Sequence, residues 1–559
     1  RTTAVLEAKT VKQLSGGAQV FDMGQNMVGT IQLAVSGKRG DVVRLRYAEM
    51  LNDDGTIYTA NLRGAPQIDT FTLAGGGVEN LTTYFTYHGF RYVEVTGVEA
   101  PLKKEALQGL VFHSDSPLVG RFECSDPLLN QIWENVLWTQ RANLMSSPTD
   151  CPQRDERLGW MGDILVFGQA AAYNMDVAAF YRKWMTDVRD AQATDGRFPD
   201  VAPHPYGKDR HFTGAPGWGD AGVVVPWRAY ENTGDLTILR ENVDACMKWV
   251  DFIERNNPDL IWRKNRGNDY NDWLNGDTLI AEGWSRKGGE VPRDVFATMM
   301  FAHSAELTGQ MLARLDRDEE SIRYRGLARR IRRAFDREFL MDDGTILGDT
   351  QAGYSLALFY NIVPREAEAK VFDKMLDALA KYGNRMSTGF HSSHALMLEL
   401  SRRGRSDLAY RLAQSREFPS WGYSVEQGAT TIWERWDGYV KGRGFQDPGM
   451  NSFNHWAFGA VTEWLMKVVI GLHPGGEQGK DWQDFLVQPI PGGGLTFAKG
   501  GYRSLYGQID VHWTHQGGQF ELRLSVPANT QATVIMPDGR RERVGAGRHS
   551  LACSLAATR

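Results

Sequence analysis

The stretch Ser125 to Val136, SDPLLNQIWENV, is where the chain changes its period. Ser125 reads as an N-cap and Pro127 suits a first helical turn. Leu128, Leu129, Ile132 and Val136 recur at the spacing of one helical face. The rhythm before it is different. Val28–Val35 (VGTIQLAV), Val42–Tyr47 (VVRLRY), Thr70–Leu73 and Tyr92–Thr96 (YVEVT) are short and rich in β-branched or aromatic residues. Gly-Lys, Asp-Asp-Gly and Gly-Gly-Gly turns separate them. This pattern predicts a β-sandwich over residues 1–115. Asp53-Asp54-Gly55 resembles the start of a calcium loop, but the rest of such a loop is missing, so it reads as a hairpin turn.

Beyond Ser125 the helical period persists to about Ile470. Helical segments are expected at 163–190, 219–233, 236–256, 293–309, 317–340, 349–361, 365–382, 391–402, 405–416 and 452–470. Gly or Pro usually separates them, as in Thr233-Gly234-Asp235 and Val363-Pro364. Helical hairpins set side by side can close into a double ring, the (α/α)6 barrel, here over 116–472. A solenoid is the alternative, but no segment repeats at a fixed period. From about His473 strands return. Phe520–Val526 (FELRLSV) alternates apolar and polar residues, and Leu505–Trp513 and Ala532–Met536 behave similarly. A second β-sandwich is expected over 473–559.

The bulk numbers narrow the function classes. With 559 residues, the chain exceeds one hydrophobic core, and about two to four domains are expected. A net charge of -5 gives no basic patch for nucleic acid and no polybasic membrane anchor. No apolar run approaches the roughly 18 residues that span a bilayer. Cys124, Cys151, Cys246 and Cys553 are too few and too scattered for a disulfide framework or a zinc site. The chain opens on Arg1, so it is expected to be processed or truncated, and both a cytoplasmic and an exported location fit. The 17 tryptophans are unevenly spread, with fifteen of them between Trp133 and Trp464. Some belong in a helical core. Others can line a sugar site, because a flat indole buries the apolar C–H face of a pyranose.

Two stretches concentrate reactive groups between helices. Ser146–Asp163, SSPTDCPQRDERLGWMGD, holds Asp150, Arg154, Asp155, Glu156, Arg157, Trp160 and Asp163, and its prolines and glycines keep it out of regular helix. Such a loop is either solvated and locally ion-paired, or ordered around a ligand. Glu426–Asp437, EQGATTIWERWD, sets Glu434 between Trp433 and Trp436. Glu434 is then either a surface residue beside core tryptophans, or a carboxylate in a water-poor pocket whose pKa burial raises. Together the stretches supply the pair of carboxylates that glycoside hydrolysis requires.

These segments resemble the bacterial α-L-rhamnosidases of glycoside hydrolase family 78. DCPQRDERLGWMGD (150–163) is similar to that family's acid-motif loop, with Met161 in place of an expected Thr. ATTIWERWDG (429–438) is similar to its base motif. FNHWAFG (453–459), YNDWLN (270–275), FDMGQNMVGTIQL (21–33), YFTYHGFRYVEVTG (84–97) and LTFAKGGYRSLYGQI (495–509) carry the likeness over nearly the whole chain. The resemblance implies an (α/α)6-barrel catalytic domain flanked by β-sandwich domains. It implies inverting hydrolysis of terminal α-L-rhamnose, with Glu156 as general acid and Glu434 as general base. Asp150, Arg154 and Asp163 would hydrogen-bond rhamnose hydroxyls. Trp160, Trp273 and Trp218 would wall the pocket, and His455 would lie near the sugar and the base. No metal or organic cofactor is implied, and the partners are rhamnose-containing small molecules or oligosaccharides. The rivals are another helical-barrel glycosidase, a glycoside phosphorylase needing a phosphate site, and a non-catalytic sugar-binding relative. The acid's pKa, the aglycone and the oligomeric state are not legible.

Overall fold

In the computed structural model, residues 2–207, 209–279, 284, 288–475 and 481–555 are described. An N-terminal sheet domain, a helical central domain and C-terminal sheets follow one another along the chain. Spatially the chain groups into two compact units. The first comprises Arg1–Asp115, Glu134–Gly159 and Ser424–Trp456, and the second Ser116–Trp133, Trp160–Tyr423 and Ala457–Arg559.

The first unit is built on an eight-stranded antiparallel sheet. Its strand order is Thr2–Glu7, Leu107–Phe112, Gln19–Ser36, His88–Thr96, Val42–Ala48 and Ile68–Thr72, with Thr10–Gln13 and Val78–Leu81 also pairing with Gln19–Ser36. Phe21, Ile31, Leu33, Val43, Leu45, Phe90, Val93 and Val95 form its core, as the alternation of apolar residues requires. The long strand Gln19–Ser36 starts well before the expected Val28. Its register with His88–Thr96 breaks between Asp22 and Met27, where Gly24 takes a φ of +74°. Such a bulge re-aims the residues it contains. At Asp53-Asp54-Gly55 the expected hairpin turn is present: Gly55 N–H donates to the Asn52 carbonyl (2.9 Å), between Met50–Leu51 and Ile57–Tyr58.

Helix Pro127–Asn143 is capped by Asp126 and not by Ser125: Asp126 Oδ1 accepts from Leu128 N–H at 2.8 Å. Ser125 Oγ instead accepts from Thr496 N–H.

Among the described residues of the second unit a buried helix is followed by an amphipathic one, five times over. Met161–Asn174, Ala221–Thr233, Arg293–Arg314, Gln351–Phe359 and Phe390–Arg402 bury most or all of their residues. Ala178–Asp190, Leu236–Asn256, Asp318–Phe339, Glu368–Lys381 and Ser406–Gln414 bury one face. The single helix expected at 163–190 is two helices, interrupted at Met175 to Val177. The helix expected at 452–470 begins only at Ala457, as a 3-10 turn, a short α-turn and wider π-turns to Ile470.

Among the described residues the C-terminal strands form two sheets. Leu505–Trp513 is not one strand. Phe497–Ser504 and Gly507–Gln516 make a hairpin that turns at Leu505, which is 73% exposed. Gly120–Cys124, ahead of the helices in sequence, pairs with Phe497–Ser504 as the edge strand of that sheet. Among the described residues no helix is long and apolar enough to cross a membrane.

Candidate active site

Asp150, Arg154, Glu156, Glu434 and His455 all lie in the first unit and meet around one side chain. Arg154 is 2% exposed. Its Nη1 donates to Glu434 Oε2 at 2.7 Å and its Nη2 to Glu434 Oε1 at 3.1 Å, a bidentate pair. Its Nε donates to Glu156 Oε2 at 2.9 Å, and Nη2 also reaches Asp150 Oδ2 at 3.4 Å. One guanidinium therefore carries three carboxylates that come from two loops some 280 residues apart. The acid-motif loop is closed on itself: Asp150 N–H donates to the Leu158 carbonyl, and Leu158 N–H to Asp150 Oδ1, each at 3.0 Å. Arg157, with a φ of +51°, gives its N–H groups to the Arg154 and Tyr87 carbonyls and to Gln67 Oε1.

The second loop hangs on helix Pro127–Asn143. Asn135 Nδ2 donates to the Ala429 carbonyl, Thr139 Oγ1 accepts from Ile432 N–H, and Asn143 Nδ2 donates to the Asn454 carbonyl. Glu434 and Ser452 bond reciprocally: Glu434 N–H donates to the Ser452 carbonyl at 2.9 Å, and Ser452 N–H to Glu434 Oε2 at 2.8 Å. His455 N–H donates to the Ile432 carbonyl.

Electrostatics separates the carboxyls. Burial pushes Glu434 up, but Arg154, His455 and the Ser452 N–H outweigh it and hold the carboxyl at about 2. Trp433 does not supply a desolvating wall that wins; it packs with Tyr58, Ala429 and Phe453. Asp150 is pushed up to about 7, first by burial and then by the Glu156 charge, against Arg154. Burial holds the His455 imidazole down at about 4, Glu434 opposing and Arg154 assisting, so it is neutral near pH 7.

An oxygen of Asp150, Cys151 Sγ and an oxygen of Glu156 lie within 4.8 Å of one another, a donor set that could hold a metal ion. The Arg154 guanidinium already bonds both of these carboxylates, so a cation placed among them would meet a fixed positive charge.

Sequence reasoning missed Arg63. It follows the one-turn helix Ala60–Leu62, and its Nη2 donates to Glu156 Oε2 at 2.9 Å while its Nε holds the Gly449 carbonyl at 2.8 Å. Nothing local in Asn61-Leu62-Arg63 marks it, because its partner lies 93 residues away.

Trp160, Asp163, Trp218 and Trp273 lie in the second unit. The three indoles converge on Tyr270, a residue not singled out from the sequence: ring centroids stand 5.6, 4.6 and 5.9 Å from it. Tyr270 OH reaches Asp200 Oδ2 at 3.2 Å, and burial raises Asp200 to about 7. Asp163 is buried in the first turn of Met161–Asn174. Gly162 is required there, because a Cβ on it would come within 2.4 Å of the Trp218 ring. Asp272, fully buried next to Trp273, accepts from the N–H groups of Gly389, His391 and Ser392 and so caps helix Phe390–Arg402. Trp273 thus rests on an anchored backbone.

Residues 117–469 match the model of the bacterial alpha-L-rhamnosidase 6 hairpin glycosidase domain. Residues 12–113 match that of the family's concanavalin-like domain, and residues 471–550 that of its C-terminal domain. The alpha-L-rhamnosidase of Streptomyces avermitilis is 43% identical over 97% of this chain, which spans 51% of that protein. The crystal structure of a Streptomyces avermitilis alpha-L-rhamnosidase complexed with L-rhamnose superposes with a TM-score of 0.93 at 41% identity, over 99% of this chain and 54% of that one. The alpha-L-rhamnosidase of Aspergillus terreus gives a TM-score of 0.93 at 34% identity, over 100% and 64%. This chain therefore spans about half to two thirds of the length of these relatives. From its first strand to its last sheet, the chain belongs to the bacterial α-L-rhamnosidase family, glycoside hydrolase family 78.

Proposed function

We propose that this chain hydrolyses terminal non-reducing α-L-rhamnose from rhamnosides by an inverting acid/base mechanism, with Glu156 as acid and Glu434 as base. The observation that carries this reading is Arg154. A single buried guanidinium bonds Glu434 through both Nη atoms and Glu156 through Nε, so the two carboxylates are held together yet on separate donors. Inversion requires about 6.5–9.5 Å between the two carboxyls, to admit a water. The names of the relatives support the substrate class.

In the proposed step, water attacks the anomeric carbon and gives its proton to Glu434. The glycosidic C–O bond breaks, and the leaving oxygen takes a proton from Glu156. Glu434 is held well below the usual carboxylate range and is ionised near neutral pH, the state in which it can accept the water's proton. Asp150, held at about 7, keeps a proton inside the acid's cluster up to near neutrality. For the sugar contacts we assign Asp150, Arg154, Asp163 and His455 to hydroxyls, and Trp160, Trp218 and Trp273 to apolar faces, the methyl of a 6-deoxy sugar included. An aromatic wall would leave a 6-hydroxyl unpaired and so disfavour hexoses. The alternation of buried and amphipathic helices supports an inner and an outer ring, the (α/α)6 barrel. We take the working domains as 1–115, 116–472 and 473–559.

A panel of p-nitrophenyl glycosides tests the substrate class. Release from the α-L-rhamnoside should exceed release from every hexoside by at least about a hundredfold, the scale of an unpaired buried hydroxyl. A preference for any hexoside, or dependence on inorganic phosphate, would remove the assignment.

A further inference from the structure

The sheet domain carries a buried polar cluster that the chemistry above does not use. Glu49 sits at the bend between strands Val42–Ala48 and Met50–Leu51 and is 1% exposed. Its Oε1 accepts from Asn26 Nδ2 at 3.0 Å, and its Oε2 from Asn61 Nδ2 and from the Phe453 backbone N–H, both at 3.0 Å. The two asparagines also grip the same distant backbone: Asn26 Nδ2 reaches the Phe453 carbonyl at 3.3 Å and Asn61 Nδ2 the Asn451 carbonyl at 3.2 Å. Asn26 is brought there by the register break at residues 22–27, where Gln25 and Asn26 also bond the Thr430 carbonyl and hydroxyl.

The clasp therefore closes on residues 451 and 453, on either side of Ser452. Ser452 is the residue whose N–H holds Glu434 Oε2 and whose carbonyl accepts from Glu434 N–H. A buried carboxyl with no direct cation is costly in general unless hydrogen bonds satisfy it, and a mere domain contact could be made with apolar side chains. What an acceptor with four lone-pair sites provides instead is a fixed geometry for several N–H donors.

We propose that Glu49, with Asn26 and Asn61, is a positioning residue for Glu434: it fixes the backbone of residues 451–453 so that Ser452 holds the base carboxylate in line. This rests on the assignment of Glu434 as base. Glu49 touches no reacting atom, and its hydrogen bonds reach Glu434 through the backbone around Ser452.

The test is steady-state kinetics on an α-L-rhamnoside for the full chain carrying Glu49→Ala, Glu49→Gln or Asn61→Ala, with the folded fraction fixed by circular dichroism. Glu49→Ala should lower kcat at least about tenfold with KM within about twofold, since small misplacement of a catalytic group is felt in turnover. Glu49→Gln keeps the shape and one acceptor oxygen, which can still take Asn61 Nδ2 and Phe453 N–H while the amide NH2 faces Asn26 Nδ2, so it should lose clearly less kcat than Glu49→Ala. If Glu49→Ala does not fold, Asn61→Ala, which removes one donor and leaves the carboxyl, should show the same split at smaller size. A kcat unchanged once corrected for folded protein, or an equal loss in the Ala and Gln variants, overturns the proposal. Full activity in Glu434→Gln would instead remove the base assignment, whatever Glu49 does.

Discussion

Replacing Glu434 by glutamine should lower kcat/KM by about a hundred- to ten-thousandfold, the range over which a positioned base acts, and by the same factor for good and poor leaving groups. Base assistance is delivered to the attacking water, so the departing group does not change how much of it is lost. Glutamine keeps most of the shape and an oxygen for Arg154. Alanine does not. It strips a 2% exposed guanidinium of its bidentate partner, and breaking a buried pair in this way costs about 3–5 kcal/mol of stability. Urea unfolding of the two variants should therefore separate them, Ala falling well below Gln. The pH dependence has a definite sign. The folded value of about 2 lies below the unfolded ~4.3, so the contribution of Glu434 is complete above about 4.3 and is lost as pH falls through about 2. Glu434→Gln should lack that segment of the stability curve. If it instead turns over at the parental rate, Glu434 is not the base.

Glu156→Gln should lower turnover at least about a hundredfold on rhamnosides with alcohol leaving groups, and much less on a nitrophenyl rhamnoside, whose leaving group needs little protonation. The side chain is 15% exposed and takes Arg154 Nε and Arg63 Nη2 on the same oxygen, Oε2. Comparison of the two substrate types in one variant cancels any loss of folded protein. Equal losses on both would take Glu156 out of the acid role.

Much of this was legible in the residues. The density of charge among prolines and glycines at 146–163 and the Trp433-Glu434-Arg435-Trp436 run pointed to the loops that Arg154 joins. Long periodic segments such as Leu236–Asn256 and the alternating strand Gln519–Val526 lie where their patterns put them. What escaped was non-local. Arg63 meets Glu156 across 93 residues, and Asn26 meets Phe453 across 427, contacts that no spacing encodes. The edge strand Gly120–Cys124 finds its partner in Phe497–Ser504, at the far end of the chain. Residues 452–456 carry helix-like apolar spacing but stay out of helix, because Ser452 N–H is bonded to Glu434 and not to a preceding turn. The pKa of Glu434 went the opposite way to an aromatic-pocket argument because a bidentate arginine, invisible at the level of neighbours, outweighs burial.

The proposed mechanism makes its most direct statement about the anomeric carbon. Proton NMR of an α-L-rhamnoside digest, recorded in the first minutes before mutarotation, should show β-L-rhamnose as the first free sugar, because water admitted between Glu156 and Glu434 attacks the face opposite the leaving group. α-L-Rhamnose appearing first, or a covalent glycosyl ester trapped on Glu434, would contradict it.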